Sequence, residues 1–420
     1  MDIDLFLSLI LLLIFARLFG ELMERFGQSA VIGEIFAGIL VGPSILGSIF
    51  PQYCIHPTTP GLSVIVDLAI FFLIFDAGLE LSTTDMKHAL YGGSIFVGVC
   101  GFVVAFTMGA IVSSFFVGTL LKSLFIGLCL ALTALPIGVR ILQDLGRLNT
   151  KLGKTIITSA IFDDIIGIAV LVLLLGTSVN EPIGAQIMDI GWIIVKVFAL
   201  VAVVIIIEKA LKFRYGLPSH YIMHYIRKFH SKEATFTIPL AFVLGFSILA
   251  ALLGLHFIIG AFYGALIVSK DWIGDKAFKN VKQVSTAITF GFLAPIFLAY
   301  IGLWFNISSL ANYTFFAAII VVGILGKVIG GFVGAKLANF SNSESTLIGF
   351  GLNPRGIVEI IIALIGLQNN IINELEFSIL VSMSIISTMM TPIILKKLFK
   401  KVDVGDTESS DKKIPQEMFP

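Results

Sequence analysis

Residues 132–139 read LTALPIGV and residues 351–358 read GLNPRGIV. Each stretch lies inside an apolar run long enough to cross a bilayer. Each has a proline near the middle of its run, Pro136 and Pro354. Proline removes one backbone donor and breaks or kinks a helix. Hydrocarbon cannot satisfy the groups set free, so broken backbone at that depth must face protein or a wet cavity. One such helix is an ordinary kink. Two at corresponding places in the halves of a chain point to a transport site.

The halves do correspond. Residues 27–41 read GQSAVIGEIFAGILV and residues 254–268 read GLHFIIGAFYGALIV, with an Ile-Gly pair (Ile32-Gly33, Ile259-Gly260) placed alike. Residues 75–81, FDAGLEL, align with residues 299–305, AYIGLWF. Counted along the apolar runs, these pairs set the second span over the ninth and the third over the tenth. The same offset of seven sets the fifth, with Pro136, over the twelfth, with Pro354. An odd offset reverses direction across the membrane, so the repeats are inverted, a recurring plan of secondary transporters.

The composition demands lipid. Of 420 residues, 57% are hydrophobic and 13% charged, about half the charge of a soluble domain. Thirteen runs approach the length of a spanning helix: 3–22, 29–47, 64–81, 92–117, 121–144, 154–176, 190–211, 234–253, 256–270, 282–302, 313–338, 345–367 and 376–398. With the N-terminus outside, the alternation leaves 23 Lys and Arg residues in cytoplasmic loops and the tail, against one, Lys122, outside. That asymmetry is the positive-inside rule, and one missed span would scramble it. The expected architecture is all-α, with thirteen transmembrane helices, inverted repeats, two crossed discontinuous helices and a cytoplasmic C-terminus in the cell (inner) membrane.

The first run lacks a basic n-region and a cleavage site, so it is read as a retained helix. Residues 399–420 are read as a short, irregular cytoplasmic tail with no soluble domain after it. Cys54, Cys100 and Cys129 show no ligand spacing and are read as apolar filling. No cofactor and no nucleic-acid partner is expected from the scattered charge.

Four bases fall within spans: Arg17, Lys196, Lys327 and Arg355. Arg17 sits near an inner end and can snorkel. Asp163 and Asp164 lie near the centre of the sixth span, where one acid costs ~2.5–3.5 kcal/mol on insertion scales. Neighbouring helical positions diverge by about 100°, so the two acids serve different partners. Lys327, at the same depth in the eleventh span, is the counter-ion for one. Burial disfavours a carboxylate's charge and a nearby ammonium favours it. A central aspartate beside water is thereby poised to take a proton or a hard cation, one at a time, which is the minimum that exchange requires. Arg355 and Glu359, one helical turn apart, can compensate each other's charge beside the broken backbone. Asp76 and Glu80 form a similar pair near the inner end of the third span, at an inner mouth or in the interface. Glu34 is read as interfacial.

Around these residues the sequence resembles the monovalent cation/proton antiporter superfamily. More narrowly, it is similar to family 2, whose bacterial members include sodium/proton antiporters and potassium efflux proteins. The resemblance rests on GEIFAGILVGPSILG from Gly33, FDAGLELS from Phe75, FDDIIGIAVLVLL from Phe162, GKVIGGFVGAKL from Gly326 and GLNPRGIVEIIIALIG from Gly351, and it covers residues 5–398. It implies a sodium/hydrogen exchanger transmembrane domain over residues 1–398. It also implies a homodimer built on panel helices (about 3–81 and 234–302), core helices (about 92–176 and 313–398) and a linker helix (190–211). The fifth and twelfth helices would cross at their unwound stretches. Asp164 matches the carrier of the monovalent cation and the proton. Asp163 and Lys327 match a pair tied to charge-moving exchange, and Thr133 matches the unwound stretch beside the cation. Potassium efflux members usually carry another residue at the position of Asp163 and a nucleotide-binding tail, neither of which is present here. Many sodium-type relatives have an acid directly after the Arg-Gly pair. Here the acid comes later, at Glu359, which leaves sodium and potassium both open.

The expected function is sodium/proton or potassium/proton antiport, with symport of a small organic solute as the alternative. An enzyme is not expected: no histidine lies centrally in a span to complete a nucleophile–base set.

Overall fold

The computed structural model describes residues 3–80, 93–148, 150–176, 232–268 and 273–411. Every described element is helical: α1 (Ile3–Arg25), α2 (Ala30–Val41), α3 (Leu46–Ile49), α4 (Leu62–Glu80), α5 (Ser94–Ser114), α6 (Leu120–Ala131), α7 (Leu135–Asp144), α8 (Lys151–Leu175), α9 (Lys232–Leu252), α10 (Phe257–Ile267), α11 (Asp275–Ile288), α12 (Ala294–Leu303), α13 (Tyr313–Leu337), α14 (Asn342–Gly351), α15 (Ile357–Gln368) and α16 (Glu374–Asp411). A π-helical turn, Thr289–Leu293, joins α11 to α12.

Ten helical stretches among the described residues are long and apolar enough to cross a membrane, and α10 and α15 are shorter apolar helices. Together they account for twelve of the thirteen runs read from the sequence; the seventh, the linker at 190–211, lies outside the described residues. The chain is a multi-pass membrane protein. α16 continues to Asp411, through the start of the stretch read as an irregular tail. No proline interrupts it between Pro392 and Pro415, so nothing local stops the helix at the membrane edge.

The chain divides into two compact units. The first holds Met1–Lys87, Ile166–Ala311 and Ile361–Ser378; the second holds His88–Ile165, Asn312–Ile360 and Ile379–Pro420. The boundaries cut through α8, α15 and α16. Part of α8 and most of α15 thus fall in the first unit.

Lipid gives helices little hydrophobic reason to associate, so small residues and close backbone approach do the packing. The repeat reappears in these approaches. In the first unit a Cβ on Gly33 of α2 would lie 2.1 Å from the Phe19 carbonyl oxygen of α1, and one on Gly260 of α10 would lie 2.1 Å from that of Phe246 in α9. Gly302 of α12 presses on α2, with Ile35 O at 2.3 Å from its ideal Cβ, and Gly78 of α4 presses on Ala265 of α10 at 2.5 Å. The matched glycines of FDAGLEL and AYIGLWF therefore each pack on the helix that is the repeat mate of the other's partner. In the second unit Gly127 of α6 meets Phe106 O of α5 at 2.6 Å, and Gly349 of α14 meets Val328 O of α13 at 2.5 Å.

α5 and α13 are joined the same way, with a Cβ on Gly330 falling 2.5 Å from Cys100 O. Gly330→Val is expected to force the two helices apart at a cost of about 1–3 kcal/mol. Gly245→Ala, at a position with open space around it, should leave stability level or slightly raised. Thermal unfolding of the detergent-purified variants checks both; a wild-type melting temperature for Gly330→Val would show that this contact does not hold the unit together.

Arg17, read from the sequence as able to snorkel, is half-exposed and anchored at one end. Its guanidinium donates to the carbonyl of Phe290 in the π turn and lies 3.5 Å from the buried Glu34 carboxylate. A π turn shifts carbonyls out of the i→i+4 register, and Arg17 takes one of them. Cys54 is likewise no core filler: it follows the turn Pro51–Tyr53, with its Sγ 3.3 Å from His56 Nε2.

Candidate ion-binding site

The second unit brings both proline stretches together. α6 stops at Ala131. Leu132 and Ala134 are extended (ψ 153° and 100°), and α7 restarts at Leu135 with Pro136 in its first turn. There the missing N–H is harmless and the fixed φ suits the helix. α14 stops at Gly351, and the chain stays non-helical through Pro354 to Gly356 before α15 begins. Two N-caps anchor the helices that lead into the breaks. Thr119 accepts from the Lys122 N–H on α6, and Ser341 and Glu344 form a capping box on α14.

The unwound stretches touch directly. The Ala134 N–H donates to Pro354 O at 2.8 Å. A Cβ on Gly356 would fall 2.4 Å from that of Ala134, so the contact needs glycine there. Each break leaves orphan carbonyls, and Arg355 collects those of α6. Its Nη1 donates to Leu132 O and, at 3.4 Å, to Cys129 O; its Nη2 donates to Leu130 O at 2.7 Å and to Gly323 O of α13 at 2.8 Å. A positive charge at a helix C-terminus is also favoured by the helix dipole. Arg355 is held in turn by Thr388 of α16, which accepts from its N–H at 3.1 Å and donates to its carbonyl at 2.8 Å. Ser387 donates to Asn353 O at 2.6 Å.

α8 and α13 supply the charges. Lys327 Nζ lies 2.5 Å from Asp163 Oδ2, with both side chains fully buried. The Thr133 hydroxyl lies 2.8 Å from the same oxygen and 2.9 Å from Leu352 O, either of which can accept its proton. The other carboxyl oxygen, Asp163 Oδ1, has no hydrogen-bond partner among the described residues. Asp164 is buried at 7% exposure on the neighbouring position. The Asp163 carboxylate, the Thr133 hydroxyl and Leu352 O thus meet beside the Lys327 ammonium; oxygen is the donor type that replaces the hydration shell of a small monovalent cation.

Asp163, Lys327, Thr133, Pro136, Pro354 and Arg355 thus lie in one connected cluster. Glu359 is buried on α15, its Oε2 3.9 Å from Arg355 Nε. The break falls before Ile357, so the two are not the regular intrahelical pair that their spacing suggested. Asp76 and Glu80 belong to the first unit: Asp76 is buried and accepts from the Thr286 hydroxyl at 3.2 Å, while Glu80 ends α4, exposed. The sequence reading passed over Ser387 and Thr388. Their signal was there, as hydroxyls at helical spacing with Ser384 and Thr391 through the apolar thirteenth run.

At Asn353 the side chain is buried, with its carbonyl oxygen unpartnered among the described residues. A cysteine at Asn353, with Cys54, Cys100 and Cys129 replaced, is expected to react with a small polar thiol reagent under one direction of ion gradient and to be protected under the other. Protection under both would count against a wet crossing.

Residues 10–401 match the family model described as sodium/hydrogen exchanger, transmembrane. A Na+/H+ antiporter of Enterococcus hirae is 30% identical over 404 residues, covering 94% of this chain and 99% of the relative. The Na+/H+-K+ antiporter GerN of Bacillus cereus is 29% identical, covering 96% and 98%. In fold, the chain is similar to the sodium proton antiporter MjNhaP1 of Methanocaldococcus jannaschii, with a TM-score of 0.68 at 15% identity over 94% of this chain and 98% of that one. With the family model matched over residues 10–401 and a relative 30% identical over nearly its whole length, the chain belongs to the sodium/hydrogen exchanger transmembrane family.

Proposed function

We propose that this protein is a secondary active antiporter that exchanges a monovalent cation, sodium or potassium, for protons by alternating access. The observation that carries the reading is the sharing of Asp163 Oδ2 between Lys327 and Thr133 at the crossing of two unwound helices. Asp164 carries the cation or the proton. Asp163 is held by Lys327 until a cation draws it away, and Thr133 moves with the carboxylate it touches. Arg355 and Glu359 compensate charge at the broken helix ends. The printed names of the relatives, one for Na+/H+ and one for Na+/H+-K+ exchange, support both cations as substrates.

The protomer is further proposed to work as a homodimer in the cell membrane. Its N-terminus is outside and its C-terminus cytoplasmic, following the charge asymmetry of the loops. Asp76 and Glu80 are assigned to the inner end of the third span, where entering cations meet carboxylates. The test is flux in proteoliposomes with sodium, potassium and lithium each set against an imposed proton gradient. Collapse of the proton gradient by at least one cation is expected. No cation-dependent proton movement with any of the three would overturn the reading.

A further inference from the structure

Glu359 is one of the most deeply buried carboxyls of the second unit, at 3% exposure. Neither of its oxygens has a hydrogen bond among the described residues. Arg355 Nε stands 3.9 Å from Oε2, within ion-pair range and beyond hydrogen-bond range. That Nε and the Ser384 hydroxyl of α16 also have no partner within hydrogen-bond distance and angle among the described residues, though Ser384 stands beside the carboxyl. Buried polar groups almost always find partners, so these atoms around one carboxyl mark a place where the hydrogen bonding changes with state.

The surroundings say what the change is. Among the described residues, the groups near enough to act on the Glu359 charge are Arg355 from the unwound stretch, Lys327 from α13, Cys129 from α6 and the neutral Ser384 from α16. The two Nη atoms of Arg355 are committed to carbonyls of α6 and α13, which leaves one donor, Nε–H, for Glu359. An ionised Glu359 closes on Nε–H. A protonated Glu359 turns its O–H to Ser384 Oγ and releases Nε–H.

Building on the antiport reading, we propose that Glu359 is a proton-binding positioning residue. It gains and loses a proton within the working pH range of the transporter, and so switches Arg355 between a paired and an unpaired grip on the broken end of α6. It touches no transported cation. It sets the pH at which the crossing is held for exchange.

Infrared difference spectra after a pH jump, taken on purified protein, test this without requiring transport. The wild type is expected to show a protonated-carboxyl C=O band that Glu359→Gln lacks, while bands from other carboxyls persist. Ser384→Ala, which keeps the carboxyl and removes its acceptor, should move that band, and it serves if Glu359→Gln does not fold. In proteoliposomes Glu359→Gln should shift the midpoint of the flux–pH profile by about one pH unit or more, tenfold in proton concentration. A purely structural Glu359 would lower stability and leave the midpoint in place. Identical bands in wild type and Glu359→Gln, or a band indifferent to Ser384→Ala, would overturn the proposal. A wild type that exchanges no cation for protons fails the antiport reading alone and leaves the infrared result to decide this one.

Discussion

Asp164→Asn is expected to abolish cation–proton exchange and leave the protein folded. Asp164 is a buried acid in the middle of α8, in a region where an acid costs ~2.5–3.5 kcal/mol on insertion scales. Asparagine keeps the shape and part of the hydrogen-bonding capacity, and removes both the exchangeable proton and the charge that draws a cation. Flux should fall at least about a hundredfold, the scale of losing an acid–base group. The melting temperature should stay near that of the wild type, because a neutral isostere relieves the cost of burying charge. The check is sodium- and potassium-driven proton flux in proteoliposomes, with thermal unfolding of the same preparation. Near-normal flux would remove Asp164 from the carrier role. Lost flux together with a collapsed melting temperature would reassign it to the framework.

Lys327→Gln is the second large effect, and it separates two roles of one residue. Lys327 and Asp163 are fully buried and 2.5 Å apart. Removing one partner of such a pair typically costs about 3–5 kcal/mol, because the other charge stays buried without compensation. Asp163 can escape part of that by taking a proton. The double variant Asp163→Asn/Lys327→Gln should recover most of the stability, and the cycle of four proteins gives the coupling between the pair.

The effect on transport has a different signature. If Lys327 gives up its proton when a cation displaces it from Asp163, two protons exchange for one cation and each cycle moves one net charge. The membrane potential then acts with ~2.3 kcal/mol per charge per 100 mV, and cation extrusion proceeds without a pH gradient. Lys327→Gln should keep competition between cation and proton at Asp164 and lose the response to voltage. Proteoliposome flux with and without an imposed potassium-diffusion potential, with sodium as the substrate cation, measures this. Wild-type flux that ignores the potential would mean one-for-one exchange, and Lys327 would be a structural counter-ion.

The amino-acid sequence by itself determined the membrane fold of this protein. Transfer of a side chain to lipid is a local, nearly additive cost, so the apolar runs and the bases between them are legible one after another without knowledge of packing. It also determined where the backbone would fail, since Pro136 and Pro354 act on their own turns. Which partners the buried charges could have followed from the same energetics: a central Asp163 requires a base at its depth, and Lys327 is one of very few. Only the tertiary structure decided how the broken ends are satisfied. Arg355 and Glu359 have the spacing of a helical ion pair, yet the helix starts after Arg355. Its Nε stays within ion-pair range of Glu359, while its two Nη atoms go to carbonyls of Cys129, Leu130, Leu132 and Gly323, some in a segment more than 220 residues away. The roles of Ser387 and Thr388, and the place of Gly356 against Ala134, were settled in the same way. Hydrogen bonds and close contacts between distant segments depend on where packing sets those segments, and no local sum of residue preferences contains that information.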